Sequence, residues 1–234
     1  MRRLLVIMVA VCLCVMAAPG EEEAKTEGRE RTQEESSREA EKKPATKEEI
    51  LKRVEEKLSG IETVQADFVQ EKDLAMFKHK MVIRGSLAVK NPDRIAWHVQ
   101  EPVRYSMVIR EAVLKQWDED TNQVQTLRLD KNPSFKPVFK QLSGWFAGRY
   151  AEVRKRYEVT VRDRSPVTLV FRPKKDTGME KVIEQVVVVF RDDERYIRQL
   201  KVLQVNGDKT TFRFLDTRLN EPIDEDVWKV RPDE

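Results

Sequence analysis

The sequence predicts a mainly β domain with a few helices (α+β), built on one long antiparallel sheet. Three observations predict it. From Val64 to Leu219, apolar residues recur at period two in about ten or eleven short runs, the pattern of strands with one buried face. Turn signals separate the runs: Asn91-Pro92-Asp93, Glu101-Pro102, Asp192-Asp193-Glu194 and Asn206-Gly207-Asp208. Such short connections join antiparallel neighbours, and Asn-Gly is a strong hairpin signal. Only two segments keep a helical period. A sheet of this many strands must curl, split or close, and the two helices are candidates to cover its concave side.

The first helix is expected to start at Thr46. Glu49 follows three residues later, completing a capping box. Ile50, Leu51, Val54, Leu58 and Ile61 then share one helical face, and Gly60 lies near the end. Strands follow: Val64–Gln70, Lys80–Lys90, Ile95–Val99, Ser106–Arg110, Val113–Trp117 and Val124–Leu129, with Asp118–Asn122 as a hairpin tip. Asn132–Tyr150 breaks the rhythm. Val138, Phe139, Leu142, Trp145 and Phe146 sit there at helical spacing, as a short apolar helix between strands. The strands resume at Tyr157–Arg162, Val167–Arg172, Ile183–Arg191, Ile197–Val205 and Thr210–Leu219.

The N-terminal residues read as an address. Arg2 and Arg3 precede an apolar run, Leu4–Ala18, and small residues close it, the order of a secretory signal peptide over 1–20. The run is shorter than the ~20 residues of a permanent span. Val11 precedes Cys12 and Leu13 precedes Cys14, so neither cysteine has the small neighbour that lipid attachment needs. Residues 21–49 contain no Val, Ile, Leu, Met, Phe, Tyr or Trp and carry 11 acidic against 7 basic side chains. Such a stretch cannot bury enough apolar surface to offset ordering, so 21–45 is expected to be a disordered charged tether. The folded domain is expected over 46–234. The expected product is an exported, soluble protein.

Chemistry narrows the function by elimination. Lys plus Arg (44) nearly balances Asp plus Glu (41), without the clustered basic excess of a nucleic-acid binder. The two cysteines lie in the apolar run, so a mature chain would have no disulfide, thiolate nucleophile or thiolate metal site. His79 and His98 are the only histidines. Both read as surface residues, His98 facing opposite to Trp97 in a strand and His79 at a solvated strand end. Asp118-Glu119-Asp120 lacks the glycine and distant Glu of a calcium loop. Gly85-Ser86-Leu87 is no nucleophile elbow. No catalytic constellation emerges, so no enzyme, cofactor or metal is expected.

An ordered series of motifs points further. Val64-Gln65-Ala66-Asp67-Phe68-Val69-Gln70 resembles the first strand of the periplasmic outer-membrane lipoprotein carriers, the LolA-like family, where a helix leads into A-x-F-x-Q. Gly85-Ser86-Leu87-Ala88-Val89-Lys90-Asn91-Pro92 is similar to that family's G-x-L-x-x-x-x-P, and Arg94-Ile95-Ala96-Trp97-His98 to its aromatic-centred strand. Glu101-Pro102 and the strands around Met107 and Leu114–Asp118 continue the series. Leu219-Asn220-Glu221-Pro222-Ile223, Val227-Trp228 and Pro232 match its end. The resemblance covers most of 64–232. It departs at Asn91, where well-known members carry a lid-contacting Arg. It departs again near Arg110-Glu111, where their hairpin has Asp-Gly and a different turn geometry is therefore expected.

The resemblance implies a strongly curved antiparallel sheet forming an incomplete β-barrel, with a helical lid over an apolar cavity. It also implies a non-enzymatic role: shielding lipoprotein acyl chains in transit across the periplasm. An inner-membrane exporter would hand the cargo over and an outer-membrane acceptor would take it. The partners would thus be acylated lipoproteins or lipid and no nucleic acid, and the protein is expected to be a monomer. The candidate lipid-binding residues are Phe139, Leu142, Trp145 and Phe146 on the lid. On the sheet they are Phe68, Leu87, Val89, Ile95, Trp97, Met107, Leu127, Leu169 and Val188. The same stripes would mark an ordinary sealed core, and sequence does not separate the two. The alternative is a LolA-like sensor of a membrane-protein partner, or a carrier of another lipid. An envelope hydrolase is disfavoured by the missing catalytic groups.

Overall fold

The computed structural model describes residues 45–76, 79–130 and 153–231. Helix α1 spans Lys47–Ser59. The capping box is present: Glu49 N donates to Thr46 Oγ1 at 3.2 Å, and Thr46 N to Glu49 Oε2 at 2.6 Å. Ile50, Leu51, Val54 and Leu58 form its buried face, as the spacing predicts.

Eleven strands follow: β1 Thr63–Asp73, β2 Met81–Lys90, β3 Arg94–Glu101, β4 Tyr105–Arg110, β5 Val113–Asp118, β6 Val124–Arg128, β7 Tyr157–Arg164, β8 Val167–Pro173, β9 Ile183–Phe190, β10 Ile197–Gln204 and β11 Lys209–Leu219. They form one antiparallel sheet in the order β6-β5-β4-β3-β2-β1-β11-β10-β9-β8-β7. Two meanders meet where the first and last strands pair, Phe68 opposite Phe214. Inward residues of both outer wings, Ile109 and Leu114 on one and Val159 and Leu169 on the other, join α1 in a single buried cluster. A flat sheet would hold those wings several strand spacings apart, so their common core requires the sheet to curl. The strand order nonetheless stays open, ending at β6 and β7.

Side chains alternate as the pleat demands. In β1, Val64, Ala66, Phe68 and Gln70 are buried and Asp67 is exposed. The other side of the sheet carries a smaller core. Ala88, Ala96, Val108 and Trp117 pack there against Trp228 and Val230 of the C-terminal segment. Asp224 caps a short 3-10 turn, Glu225–Trp228, and Arg94 lies over the Trp228 ring at 5.9 Å. Further along, the Arg231 guanidinium donates to Asn122 O at 2.6 Å. The end of the chain is thus a strap across the outer face of β2–β5.

Two asparagines fix the passage from α1 into β1. Asn91 Nδ2 donates to Ile61 O at 2.7 Å. Asn220 Oδ1 accepts from Glu62 N at 2.8 Å while its Nδ2 donates to Gly60 O at 2.9 Å. At position 91, therefore, the chain has a tie between the β2–β3 turn and the helix exit.

The β4–β5 turn corrects the expectation of altered geometry. Glu111 and Ala112 have φ of 51° and 60°, both left-handed, as in the primed hairpin turn that Asp-Gly favours. The strand twist imposes that turn even on residues carrying a Cβ. Ala112→Gly is accordingly expected to stabilise the domain by about 0.5–1 kcal/mol; an unchanged or lower urea midpoint would count against strain at this site.

Candidate functional site

The inner face is the candidate site. Its centre is aromatic: Phe68 of β1 stacks on Trp97 of β3 with ring centroids 4.0 Å apart and planes at 28°. Phe212 of β11 meets Trp97 edge-on at 5.8 Å. These three come from strands far apart in sequence, and register alone brings them together. Gly85, opposite Phe68, leaves room for the ring.

The predicted sheet residues converge here. Phe68, Leu87, Val89, Ile95, Trp97, Met107, Leu169 and Val188 are all buried members of one cluster, and Leu127 packs partly buried at its margin. Phe139, Leu142, Trp145 and Phe146 lie outside the described residues, as do residues 1–20, where a signal peptide is expected, and nearly all of 21–45, the expected tether. Sequence reasoning missed the aromatic residues of the second wing: Tyr157, Phe171, Phe190, Tyr196, Phe212 and Phe214 belong to the same cluster. Their period-two spacing was the available signal. It also missed a polar set on the same face, Gln70, Lys72 and Thr210, all buried. Gln70 and Lys72 share the parity of Phe68, which was visible in the sequence.

Helix α1 closes one end of this face and is clamped there by charge. Glu194, at the β9–β10 turn, accepts from Arg53 Nε at 2.7 Å and from the second guanidinium nitrogen at 2.8 Å. Lys57 Nζ adds a bond to Glu194 at 3.0 Å. The bidentate guanidinium holds the Glu194 carboxyl below its usual range, against the opposing effect of burial. The clamp is therefore complete above pH about 4.5 and weakens as pH falls through the lowered value.

A half-open groove of about 1110 Å³ lies between the β1–β11 bulge and the β9–β10 turn, lined by polar Gln65, Asp67, Arg191, Arg198 and Asp216 together with apolar Ala66, Leu87 and Phe214. Arg191 and Arg198 are paired with Asp193 and Asp192 at 2.9 and 3.0 Å. Among the described residues no group of three or more His, Cys, Asp or Glu side chains could hold a metal.

His98 requires a correction. Strand alternation predicts a surface residue, but the C-terminal strap covers it. Nε2 lies 2.8 Å from Val227 O, and Nδ1 lies 2.9 Å from Ser106 Oγ. A carbonyl only accepts, so Nε2 carries the proton and Nδ1 accepts from the hydroxyl. Burial lowers the imidazole pKa below 6.5, opposed by the bond to Val227. The neutral ring is the folded form, so its contribution is complete above pH 6.5 and declines as pH falls from 6.5 to the lowered value. His98→Gln is expected to flatten the pH dependence of the urea midpoint in that window. A variant with an unaltered slope would show that another group titrates there.

The fold and the inner face together define a class: an open, curved antiparallel sheet with a helix packed into an apolar inner surface. The chain belongs to the family described as outer membrane lipoprotein carrier protein LolA, whose model matches residues 59–231. A protein of Pseudomonas entomophila named outer-membrane lipoprotein carrier protein is 24% identical over 184 residues, covering 78% of this chain and 84% of that one. One of the same name from Pseudoalteromonas translucida is 21% identical over 185 residues, covering 77% and 82%. Among solved structures, an uncharacterized conserved protein of Thermus thermophilus superposes with a TM-score of 0.50 at 13% identity, covering 80% of this chain and 94% of that one. A LolA superfamily protein of Nitrosomonas europaea covers 79% and 98%, with a TM-score of 0.39 and 11% identity.

Proposed function

We propose that this protein is a periplasmic, non-enzymatic carrier that takes lipoprotein acyl chains against the inner face of its sheet and moves them from the inner to the outer membrane. The observation that carries the reading is the family match over residues 59–231, on a chain whose inner face gathers one large apolar cluster. Transfer of this kind needs burial rather than bond chemistry. Each CH₂ removed from water contributes ~0.8 kcal/mol, so a chain of about 14 carbons is worth roughly 10 kcal/mol. A carrier matches that scale by exchanging its own side-chain contacts for acyl contacts, so release remains feasible.

In this proposal Phe68, Leu87, Val89, Ile95, Trp97, Met107, Leu127, Leu169 and Val188 form the sheet side of the acyl site. Phe139, Leu142, Trp145 and Phe146 complete it on the strength of their sequence pattern. The partners are an acylated lipoprotein, an inner-membrane exporter and an outer-membrane acceptor, and the carrier acts as a monomer after removal of residues 1–20.

The test is native mass spectrometry of the mature protein purified from the periplasm of its own host, followed by lipid extraction and proteomics. Bound lipoproteins or acylated peptides are expected. A bound glycerophospholipid would keep the site and change the cargo, whereas a bare protein that also refuses an added lipopeptide would sink the carrier reading. Trp145→Asp is expected to weaken lipopeptide binding while leaving the urea midpoint in place; parallel loss of both would make Trp145 a residue of a sealed core.

A further inference from the structure

The inner face changes character along β1. Val64, Ala66 and Phe68 are apolar, but the next two inward positions are Gln70 and Lys72, each only 5% exposed. On β11, Phe212 stands opposite Gln70 and Thr210 opposite Lys72. Thr210 is 1% exposed, and its Oγ1 has no hydrogen-bond partner among the described residues. Leaving a buried hydroxyl unmatched is costly, so such an atom calls for an explanation. A valine would fill the same volume without that cost.

The position of this corner supplies one. It lies beside the Phe68–Trp97–Phe212 stack, at the end of β1 remote from the α1 junction. Helix α1 seals the other end with Ile50, Leu51, Val54 and Leu58. An acylated molecule lying along this face toward α1 would place its first polar group at Gln70 and Thr210. A hydroxyl and a primary amide both donate. They suit a neutral, acceptor-only group that must itself leave water, and an ester carbonyl is such a group.

We infer that Gln70 and Thr210 receive the ester carbonyls of an acyl-glycerol cargo, so that the site reads the linkage as well as the chains. This rests on the carrier reading above and deepens it.

The experiment compares two probes with the mature full-length chain: a diacylglyceryl-cysteine lipopeptide, and its di-O-alkyl ether analogue of equal chain length. The wild type is expected to prefer the diester. Thr210→Val should weaken the diester by about fivefold, the scale of one net hydrogen bond, and leave the diether unaffected. Gln70→Leu alone should act in the same direction, and the double variant by about twentyfold, if the two bonds act independently. The urea midpoint of Thr210→Val should hold or rise, because the unmatched hydroxyl is gone. Equal wild-type affinity for the two probes, or variants that weaken both alike, would overturn the inference and leave the carrier reading standing. A wild type that binds neither probe would overturn both.

Discussion

Replacing Gly85 with alanine is expected to destabilise the domain by at least about 3 kcal/mol, a large part of the roughly 5–15 kcal/mol that holds a typical domain together. A Cβ at this position would stand 2.0 Å from His98 O, 2.9 Å from His98 C and 2.7 Å from the tip of the Phe68 ring. The constraint is steric. The β2–β3 register shifts between Arg84 and Gly85, and in this irregular stretch the His98 carbonyl of β3 comes up against the glycine. Because backbone supplies the worst contact, trimming the ring should not help. Gly85→Ala combined with Phe68→Ala is expected to be less stable than either single variant. Urea titration of all three would decide it, and rescue by the double substitution would show that the ring alone sets the limit.

Phe68→Ala carries the second-largest expected effect, about 3–5 kcal/mol, through a lost aromatic side chain and the cavity left behind. Phe68 is 1% exposed. It is the centre of the stack and the cross-strand cover of Gly85, so its loss removes packing against both β2 and β3 while the β1–β2 backbone ladder remains. The aromatic pair with Trp97 adds about 0.5–1.5 kcal/mol beyond the buried area. In a Trp97→Leu background the cost of Phe68→Ala should therefore shrink by roughly that amount. Additive costs would mean that the 4.0 Å stacking contributes only through burial.

Much of this was legible from local patterns. The capping box at Thr46 and Glu49, the helical stripe from Ile50 to Leu58 and the eleven alternating runs each depend on residues a few positions apart, and each appears in the structure. Nine inward sheet residues proposed from alternation do face one cluster. Three features escape such patterns. Alternation does not distinguish a solvent-facing histidine from one covered by a distant strap, so it misplaces His98 on the surface. Counting turn residues does not show that Glu111-Ala112 accepts left-handed backbone for the sake of strand twist. Attention to apolar residues passes over Gln70 and Thr210, whose importance lies in being polar where their parity places them inside.

Local pattern alone carries the class of fold, a sheet of ten or eleven strands and their phase, the first helix and its cap, and the family motifs from Val64 to Trp228. All of these rest on short-range periodicity and turn chemistry. That β1 pairs with β11, with Phe68 opposite Phe214, is settled only in three dimensions. Nothing local encodes a partner at the far end of the chain; the pairing is selected because it joins two meanders into one buried core. That long-range choice creates the Phe68–Trp97–Phe212 stack, sets Thr210 opposite Lys72 and one inward position from Gln70's partner Phe212, and brings the C-terminal strap over His98. The site is a product of register between distant strands, and register is settled by the burial of the whole face at once.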